Sequence, residues 1–590
     1  MFKIEPTRVF DLLAHQLKNT PNINIFSYRS GEEWIGVTTQ EFIDKVNAVS
    51  KSLLAYGVKH GDRVGLISEN RLEWNILDFA IQQVGAVVVA IYPNISDSDY
   101  EFILNDAEVS LCFVSNRRLY ERLQVVKQKV PVLKDIYTFE KYDIIPHLNS
   151  FIIKGITSSN EELAQRKAAV DMQDLATLIY TSGTTGTPKG VMLTHENLMA
   201  DVISSELSFP VVAYDKALTF LPACHAYERV FQYVYIKMGL PIYYARSLDT
   251  IGDDIASVKP QIFSAVPRVL EKVYEKIMSK GESLKGIKRK LFFWSIKIGE
   301  QYDLDESNFS FFYKIKLAIA RKLVFSKWQE ALGGEIKGIA SGSATLPTRL
   351  LKLYLAAGIK IYEGYGLTEA GPCLAVNDHK RGMKIGTVGL PLIGIDIKLA
   401  PDGEILARGR NIMKGYYKNP EATAEVIKDG WLYTGDIGEW VDGKFLKIID
   451  RKKEMFKTSG GKYVVPQQIE SKMSESSFIH QIMVVGEGQK FPSALIVPAF
   501  DKFREWLKSL GVSENLSNED IIKHESVKKK MDAEVEQINT NFGNWERIKR
   551  IALIPKEFSI EGGELTPTLK NKRKVIEKNY KELISKIYKQ

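Results

Sequence analysis

Cysteine is scarce in this chain of 590 residues, which contains only Cys112, Cys224 and Cys373. The three lie far apart, so they do not form the closely spaced pairs that bind metal ions. They are also too few for a disulfide framework. Sparse cysteine of this kind is typical of a reducing compartment, and we expect a cytoplasmic protein.

Long apolar runs are missing as well. No stretch reaches the roughly 20 consecutive apolar residues that a membrane-spanning helix needs. The opening residues Met1–Pro6 lead into charged, mixed sequence, which does not resemble a secretory signal peptide. We therefore expect neither a transmembrane helix nor secretion.

A strong imbalance of charge is also absent. The chain has 80 Lys and Arg against 72 Asp and Glu, a net charge of +8, which is too mild to indicate a nucleic-acid partner. Its 45% hydrophobic and 26% charged residues are ordinary for a globular protein. Because a single core does not extend over 590 residues, we expect at least two domains.

What the chain does contain is a loop made of Thr, Ser, Gly, Pro and one Lys. It spans residues 181–190, between the β-prone stretch 177–180 and the apolar stretch 191–193. Glycines let a backbone approach a ligand closely, and successive N–H groups with hydroxyls suit phosphate oxygens. The run does not match the Walker A pattern. The alternative to a phosphate-binding loop is a flexible linker. The candidate phosphate-binding residues are Thr181, Ser182, Gly183, Thr184, Thr185, Gly186 and Lys189.

Short apolar strands alternate with helical patterns through the first two thirds of the chain. This pattern predicts an α/β fold with doubly wound, mostly parallel sheets. Between residues 386 and 449, Asp-Gly turns separate short strands and predict a small antiparallel β subdomain. Residues rich in charge and glycine follow from position 450, and a smaller α+β domain is expected beyond them. The predicted domains are therefore 1–449 and 450–590.

Two further features leave alternatives open. The segment 266–329 is helical, basic and aromatic, with Lys285–Trp294 and Phe309–Tyr313 as its most marked stretches. Such a segment either contacts an anionic membrane surface or forms a solvated face over a core stripe. Likewise, His225 and Glu228 are either an acid/base pair or ordinary loop residues.

Four motifs in fixed order, together with a late lysine, identify a family resemblance. The motifs are Thr181–Gly190, Tyr365–Glu369, Tyr433–Asp436 and Asp450–Arg451, and the lysine is Lys570. Together they resemble the adenylate-forming (AMP-binding) superfamily over essentially the whole chain. The stretches Leu221–Arg229, Val266–Val273 and Lys457–Val464 look most like long-chain fatty-acid–CoA ligases.

The resemblance implies a two-step reaction. A carboxylate attacks the α-phosphate of ATP to give acyl-AMP and pyrophosphate, and the thiol of CoA then displaces AMP. By resemblance, Lys570 reaches the charge that develops in the first step, Thr181 and Glu369 hold Mg²⁺, and Thr368 touches the α-phosphate. The residues implied for the base and ribose are Gly342, Glu363, Gly364, Tyr365, Asp436, Arg451 and Lys453.

The second step implies a rotation of the small domain. Asp450 matches the family's hinge aspartate. After the rotation, Lys457, Gly460 and Gly461 would lie at the cleft, where CoA would pass. His225 would then lie between the acyl and thiol entrances. The alternative to a site role for Lys453 and Lys457 is that both belong to a solvated face of the domain.

Several alternatives remain at the level of the whole chain. The tail loop departs from the commoner Ser-Gly-Lys pattern of acetyl-type enzymes, so Lys572 is a rival to Lys570. Other acids, medium-chain or aromatic, and other acceptors, such as an acyl carrier protein, compete with fatty acid and CoA. A non-catalytic membrane-binding protein is a third reading. Acyl chain length and oligomeric state stay open, a homodimer being one alternative.

Overall fold

The structure is a computed structural model of the chain. It describes residues 5–21, 23–155, 158–182, 188–247, 250–452, 454–512, 515–559, 562–566 and 570–589. Contacts divide the chain into two compact units. The first unit comprises Met1–Lys398, Leu406–Thr434 and Trp440–Lys447, and the second comprises Leu399–Ile405, Gly435–Glu439 and Ile448–Gln590. The predicted domain boundary at Asp450 stays a prediction.

Helices and strands alternate along much of the chain. The helices are α1 (Asp11–Asn19), α2 (Thr39–Tyr56), α3 (Leu72–Gln83), α4 (Asp97–Asp106), α5 (Arg117–Lys127), α6 (Leu148–Lys154), α7 (Asn160–Ala169), α8 (His195–Glu206), α9 (Ala226–Met238), α10 (Ile251–Val258), α11 (Pro267–Ser283), α12 (Gly286–Gly299), α13 (Phe311–Ala320), α14 (Ser326–Ala331), α15 (Thr348–Ala356), α16 (Pro420–Val426), α17 (Pro466–Met473), α18 (Phe500–Ser509), α19 (Asn518–Lys523), α20 (Glu525–Asn539), α21 (Arg573–Asn579) and α22 (Lys581–Lys589). Short 3₁₀ turns occur at Glu306–Asn308 and Thr368–Ala370, and a π-helical segment at Arg321–Phe325.

The strands are β1 (Asn24–Ser30), β2 (Glu33–Thr38), β3 (Arg63–Ile67), β4 (Val87–Ile91), β5 (Leu111–Val114), β6 (Asp135–Thr138), β7 (Leu175–Ser182), β8 (Pro188–Thr194), β9 (Ala217–Thr219), β10 (Ile242–Tyr244), β11 (Ile262–Ala265), β12 (Gly338–Ser341), β13 (Ile361–Gly366), β14 (Cys373–Val376), β15 (Leu390–Pro391), β16 (Asp396–Leu399), β17 (Glu404–Arg408), β18 (Gly415–Tyr416), β19 (Ile427–Lys428), β20 (Trp431–Val441), β21 (Phe445–Arg451), β22 (Phe456–Lys457), β23 (Tyr463–Val464), β24 (Ile479–Val485), β25 (Ser493–Pro498) and β26 (Arg550–Leu553).

Two large sheets form the first unit. One has the strand order β18-β8-β7-β4-β3-β5-β6, and the other has the order β15-β14-β13-β12-β11-β9-β10-β1-β2. Their central pairs are parallel, while edge pairs such as β7 with β8 and β13 with β14 are antiparallel. β4 is buried along its whole length, as a strand covered on both faces must be. The predicted α/β class with mostly parallel sheets is confirmed.

The predicted antiparallel region also forms. A five-stranded sheet contains β16, β17, β20 and β19 in that order, with β21 paired to β20. Turns at Asp429-Gly430 and Asp442-Gly443 have positive φ at both residues, the conformation that tight hairpins favour. The second unit has its own three-stranded sheet, β24-β25-β26, and its own hydrophobic core.

Local signals explain individual boundaries. Helix α2 starts at a capping box in which Thr38 and Glu41 bond each other's backbone N–H, and it ends at Gly57, whose φ is 96°. A hydroxyl–carboxylate box at the start and a left-handed glycine at the end are typical helix signals. Thr38 and Glu41 at capping-box spacing and the following Gly57 are local signals from which both ends of this helix can be predicted.

Strand β13 continues further than the sequence suggests. The stretch after Tyr362 reads as a glycine-rich loop, yet β13 extends through Gly366 and pairs with β14. A Cβ atom at Gly366 would lie 1.8 Å from the carbonyl oxygen of Pro372, so this pairing requires a residue without a side chain. Here glycine permits close strand contact rather than a flexible loop.

Candidate active site

The predicted phosphate loop joins two paired strands of the first unit. β7 and β8 are antiparallel, with Thr181 opposite Lys189 and Ser182 opposite Pro188. Thr181 and Lys189 therefore lie beside each other at the end of the hairpin where the loop connects the two strands. The predicted loop residues Gly183, Thr184, Thr185 and Gly186 lie outside the described residues.

A tyrosine that the sequence analysis missed connects the lysine with the predicted metal ligand. The Lys189 ammonium lies 5.0 Å from the centre of the Tyr416 ring, and the Tyr416 hydroxyl donates to Glu369 Oε1 at 2.8 Å. Tyr416 belongs to β18, which pairs with β8 opposite Val191. The cation of the phosphate loop and the carboxylate thus share one aromatic neighbour, and we name the set Lys189–Tyr416–Glu369 the phosphate-side cluster.

Glu369 occupies the short 3₁₀ turn Thr368–Ala370, against which β8 packs. Its backbone carbonyl accepts the N–H of Met413 at 2.9 Å. A hydroxyl from Thr181 and a carboxylate from Glu369 are hard oxygen donors, which suit Mg²⁺. Within the described part of the chain, no group of three or more His, Cys, Asp or Glu residues could hold a metal alone. Binding of Mg²⁺ by Thr181 and Glu369 stays a prediction.

One cavity collects several predicted residues at the carboxyl ends of β12 and β13. His225, Gly342, Gly364, Tyr365 and Thr368 all line it. Its remaining wall is largely apolar, and the aromatic side chains there are Phe209, Tyr227, Phe231 and Tyr362. The cavity thus runs from aromatic side chains to Thr368, the neighbour of Glu369.

Glu363 does not line that cavity. Its side chain is 7% exposed, and burial raises the pKa of this carboxyl to about 8 because an ionised group loses its hydration there. The predicted contact of Glu363 with an adenine base stays a prediction.

His225 and Glu228 have different environments. His225 caps helix α9, where its Nδ1 accepts the N–H of Tyr227 at 3.1 Å. Glu228 is fully buried and accepts hydrogen bonds from the hydroxyls of Thr219 and Ser264. Burial raises the pKa of Glu228 to about 7. Glu228 is thus enclosed in the core rather than exposed on a loop, and the acid/base pair considered above stays a prediction.

The predicted ribose residues meet in the second unit. Asp436 on β20 is 6% exposed, and its Oδ1 lies 3.2 Å from Nε of Arg451 at the end of β21. Next to them, Lys452 forms ion pairs with Asp402 and Glu404 at 2.6 and 2.8 Å. Neighbouring strands thus hold a carboxylate and a guanidinium side by side. Lys453, also predicted here, lies outside the described residues.

Lys570 lies close enough to Asp436 and Arg451 for their charges to affect its pKa. Desolvation lowers the pKa of Lys570 to about 8, and the charge of Arg451 lowers it too. The carboxylates of Asp436 and Glu454 oppose this shift. The Lys570 side chain is itself exposed. Its backbone is tied to Thr566 by two hydrogen bonds, of 2.8 and 3.0 Å.

The segment that carries Lys570 is anchored by a second residue that the sequence analysis missed. Arg573 contacts both carboxylate oxygens of Glu470, at 2.6 and 2.5 Å, and donates to the carbonyl of Val484 at 3.0 Å. Glu470 lies 103 positions away in sequence, so no local pattern could have predicted this pair. The rival lysine, Lys572, donates its backbone N–H to Glu564, which does not decide between the two lysines.

Asp450 joins a strand to a helix within the second unit. One carboxylate oxygen accepts the N–H of Arg451 at 2.6 Å and the other accepts the N–H of Gln467 at 3.2 Å. The side chain is 1% exposed, and desolvation raises its pKa to about 6. Asp450 therefore connects the end of β21 with the first turn of α17, and its hinge role stays a prediction.

The predicted CoA residues lie on an exposed hairpin. β22 pairs with β23, with Lys457 opposite Tyr463, and the Lys457 ammonium lies 4.6 Å from the Tyr463 ring centre. Gly460 and Gly461 form the exposed tip, where Gly461 has a φ of 76°. The hairpin therefore exposes Lys457 close to a tip formed by two glycines, which have no side chains.

Comparison with known sequences agrees with these motifs. Residues 13–417 match the AMP-binding enzyme family, and residues 454–590 match the AMP-binding enzyme C-terminal domain. The chain is 33% identical over 589 residues to a long-chain-fatty-acid–CoA ligase of Mycobacterium bovis, covering 99% of this chain and 97% of the relative. It is also 33% identical to a peroxisomal long-chain acyl-CoA synthetase of Arabidopsis thaliana, covering 94% and 82%.

Solved structures share the fold at low sequence identity. The adenylation domain of a carboxylate reductase from Mycobacterium chelonae aligns with a TM-score of 0.78, at 20% identity, over 99% of this chain and 92% of that one. An O-succinylbenzoate–CoA synthetase of Bacillus subtilis, in complex with ATP and magnesium, aligns with a TM-score of 0.67, at 19% identity, over 96% and 98%. With its motifs, its fold and its sequence match in agreement, the chain belongs to the AMP-binding enzyme family.

Proposed function

We propose that the chain is a long-chain-fatty-acid–CoA ligase that forms AMP. It joins a fatty acid to ATP, releases pyrophosphate, and transfers the acyl group from acyl-AMP to CoA. The observation that carries this proposal is the position of Thr368. This residue lines the aromatic cavity and directly precedes Glu369 of the phosphate-side cluster. An acid held in the cavity would therefore present its carboxylate near the phosphates of ATP.

The first step is mainly a matter of positioning and charge. The fatty carboxylate and the α-phosphate are both negative, so they approach only where cations neutralise them. Lys189 supplies a cation beside Thr181, and Mg²⁺ held by Thr181 and Glu369 would neutralise the phosphates that leave. Lys570 would stabilise the charge that develops between carboxylate and α-phosphate. Pyrophosphate then departs as acyl-AMP forms.

The adenosine end needs separate contacts. A fixed carboxylate accepts from both hydroxyls of a ribose, and Asp436 is a candidate because it is held at 3.2 Å by Arg451. Tyr365 and the backbone at Gly342 and Gly364 would border the base. These assignments derive from the family resemblance and from the shared location of the residues within each unit.

The second step needs access for a thiol. Attack of the CoA sulfur on the acyl carbonyl expels AMP and gives the thioester. The hairpin with Lys457, Gly460 and Gly461 would border the pantetheine arm, because its tip lets a ligand pass close to the backbone. Asp450 would act as the hinge between the two states, and lid motions of this kind often set turnover rates. His225 would lie between the acyl and thiol entrances.

The apolar lining of the cavity supports an apolar acid over a polar one. Phe209 and Tyr362 contact edge to face with ring centres 5.6 Å apart, and Phe209 approaches Phe231 at 5.5 Å. Such rings favour an alkyl or aromatic substrate. Medium-chain and aromatic acids are the alternatives, and an acyl carrier protein is the alternative acceptor.

The products test the proposal directly. The purified chain is incubated with ATP, Mg²⁺, CoA and fatty acids from short to very long. We expect AMP, pyrophosphate and acyl-CoA in equal amounts, with the highest kcat/KM for long chains, and a loss of turnover when Mg²⁺ is chelated. Release of ADP would refute adenylation, whereas a maximum with aromatic acids would refute only the substrate class.

We also propose that the protein works at a membrane surface, where its apolar substrate is stored. No described helix is both long and apolar enough to span a bilayer. The proposal therefore concerns peripheral contact. A homodimer remains an alternative for the oligomeric state.

A further inference from the structure

Two buried asparagine side chains of the first unit connect the hairpin of β7 and β8 with the turn that carries Glu369. Asn197 lies in the first turn of α8, directly after β8, and Asn411 lies between β17 and β18. Their exposed fractions are 7% and 0%. A buried amide needs partners for both of its N–H bonds, so the partners show what each side chain holds. We name the two residues the amide pair.

Asn197 holds the segment 410–412 against the start of α8. Its Nδ2 donates to the carbonyl oxygens of Arg410 and Ile412, at 2.7 and 2.8 Å. Its Oδ1 accepts the N–H of Thr194, the last residue of β8, at 2.9 Å. One side chain therefore joins the end of the hairpin to a segment 213 positions away in sequence.

Asn411 extends this connection to the turn of Glu369. Its Nδ2 donates to the carbonyl oxygens of Ala370 and Cys373, at 2.7 and 2.8 Å. The turn has only three 3₁₀ residues, and the hydrogen bonds of such a turn have poor geometry. It therefore depends on its neighbours, which also include the N–H of Met413, bonded to the Glu369 carbonyl at 2.9 Å.

The backbones that the amide pair joins are in close contact at Gly371. This residue has a φ of 74°. A Cβ atom there would lie 2.6 Å from the carbonyl oxygen of Asn411 and 3.2 Å from that of Asn197. Interiors packed this closely transmit displacements. A shift of either asparagine would therefore move the residues beside Glu369.

We propose that Asn197 and Asn411 are positioning residues that hold Glu369 at a fixed place relative to Lys189 on β8. Tyr416 contacts the side chains of Lys189 and Glu369 directly, whereas the amide pair fixes the backbones that carry them. Groups of a catalytic site must be held within about 0.5 Å of their productive positions. The inference rests on the proposed function, in which Glu369 helps to bind Mg²⁺ and ATP.

ATP binding by the full chain tests the inference without an acid or CoA. ATP is titrated calorimetrically with Mg²⁺ and with a chelator, and the ratio of the two affinities is the magnesium gain. In Asn411→Leu both hydrogen bonds are lost, and we expect the magnesium gain to fall about 10- to 100-fold. Asn197→Asp keeps the acceptor for the Thr194 N–H but loses both donors, and its magnesium gain should fall too.

Gln16→Leu is the matched control for a buried amide. Gln16, on α1, is 1% exposed, and its Nε2 donates to the carbonyl and the hydroxyl of Thr20 at 3.0 and 2.9 Å. The control should lower the thermal unfolding midpoint as Asn411→Leu does and leave the magnesium gain unchanged. An equal fall in the control, or an unchanged gain in both asparagine variants, would overturn the inference.

The two half-reactions separate positioning from a general loss of structure. In Asn411→Leu, pyrophosphate exchange should fall about 10- to 100-fold, while CoA attack on supplied acyl-AMP is largely retained because pyrophosphate has already left. Equal loss of both half-reactions would overturn the positioning role. Failure of the proposed function has a different result: the unaltered chain would release no pyrophosphate with any fatty acid, whatever its magnesium gain.

Discussion

At the residue scale, Tyr416 is the most informative side chain of the candidate site. Nothing in the local sequence marks it, because Gly415, Tyr416 and Tyr417 read as ordinary strand residues. Its role arises from pairing between β18 and β8, which places its ring under Lys189 and its hydroxyl on Glu369. We therefore expect Tyr416 to act as a positioning residue through these two groups.

We predict that Tyr416→Phe lowers kcat/KM for ATP by about 10- to 100-fold, since a hydrogen bond to a charged group contributes about 1.5–3 kcal/mol. The ring that faces Lys189 is kept, so Tyr416→Leu should lose more. Steady-state kinetics at varied Mg²⁺ concentrations measure the effect. A higher Mg²⁺ requirement is expected if Tyr416 orients Glu369. Tyr417→Phe removes the neighbouring hydroxyl and should leave kcat/KM unchanged.

At the element scale, the segment with Lys570 depends on a buried ion pair. Arg573 and Glu470 are 15% and 14% exposed, and Glu454 lies 3.4 Å from the same guanidinium. This pair ties the start of α21 to α17. The exposed Lys570 is thus followed, three residues later, by a side chain that is fixed within its own unit.

We predict that Arg573→Ala destabilises the protein by about 3–5 kcal/mol, because Glu470 would remain buried without its partner. Thermal or urea unfolding of the full chain measures the loss. Acyl-AMP formation should fall as well, since the segment with Lys570 loses its anchor. Lys574→Ala removes the same charge from the exposed next position and should change neither. Equal stability of the two variants would contradict this role for the ion pair.

At the scale of the whole molecule, the candidate residues divide between the two units. Thr181, Lys189, Glu369 and the cavity belong to the first, whereas Asp436, Asp450, Lys457 and Lys570 belong to the second. The proposed reaction has two steps that need different groups of the second unit. The two steps should therefore be separable by mutation.

We predict that Lys570→Ala reduces ATP–pyrophosphate exchange by at least about 100-fold while CoA attack on supplied acyl-AMP is retained. Lys457→Ala should show the reverse pattern, with slow thioester formation and normal exchange. Lys462→Ala, on the same hairpin as Lys457, serves as the control. Parallel loss of both half-reactions in either variant would argue against two states with different catalytic groups. If Lys572→Ala instead abolished exchange, the rival lysine would be the catalytic one.

Much of the fold could be predicted because its signals are local. The ends of α2, the strand Arg63–Ile67 and the hairpin turns at Asp429 and Asp442 depend on residues within a few positions of each other. Order and spacing of the motifs also indicated the family. The extension of β13 could not be predicted in this way, because it depends on the approach of β14 to Gly366.

For the candidate site, too, local signals could be predicted and contacts between distant residues could not. The sequence alone determined which residue types are present for the chemistry: the Thr- and Gly-rich loop, Glu369, Asp436 and Lys570, each within a recognisable local motif. Only the tertiary structure decided that Tyr416 connects Lys189 with Glu369, that Arg573 anchors the Lys570 segment, that Glu228 is enclosed, and that Asn197 and Asn411 connect α8 with the turn of Glu369. These features depend on contacts between residues far apart in the chain or on which side of a helix is covered, and neither property is encoded within a short stretch of sequence.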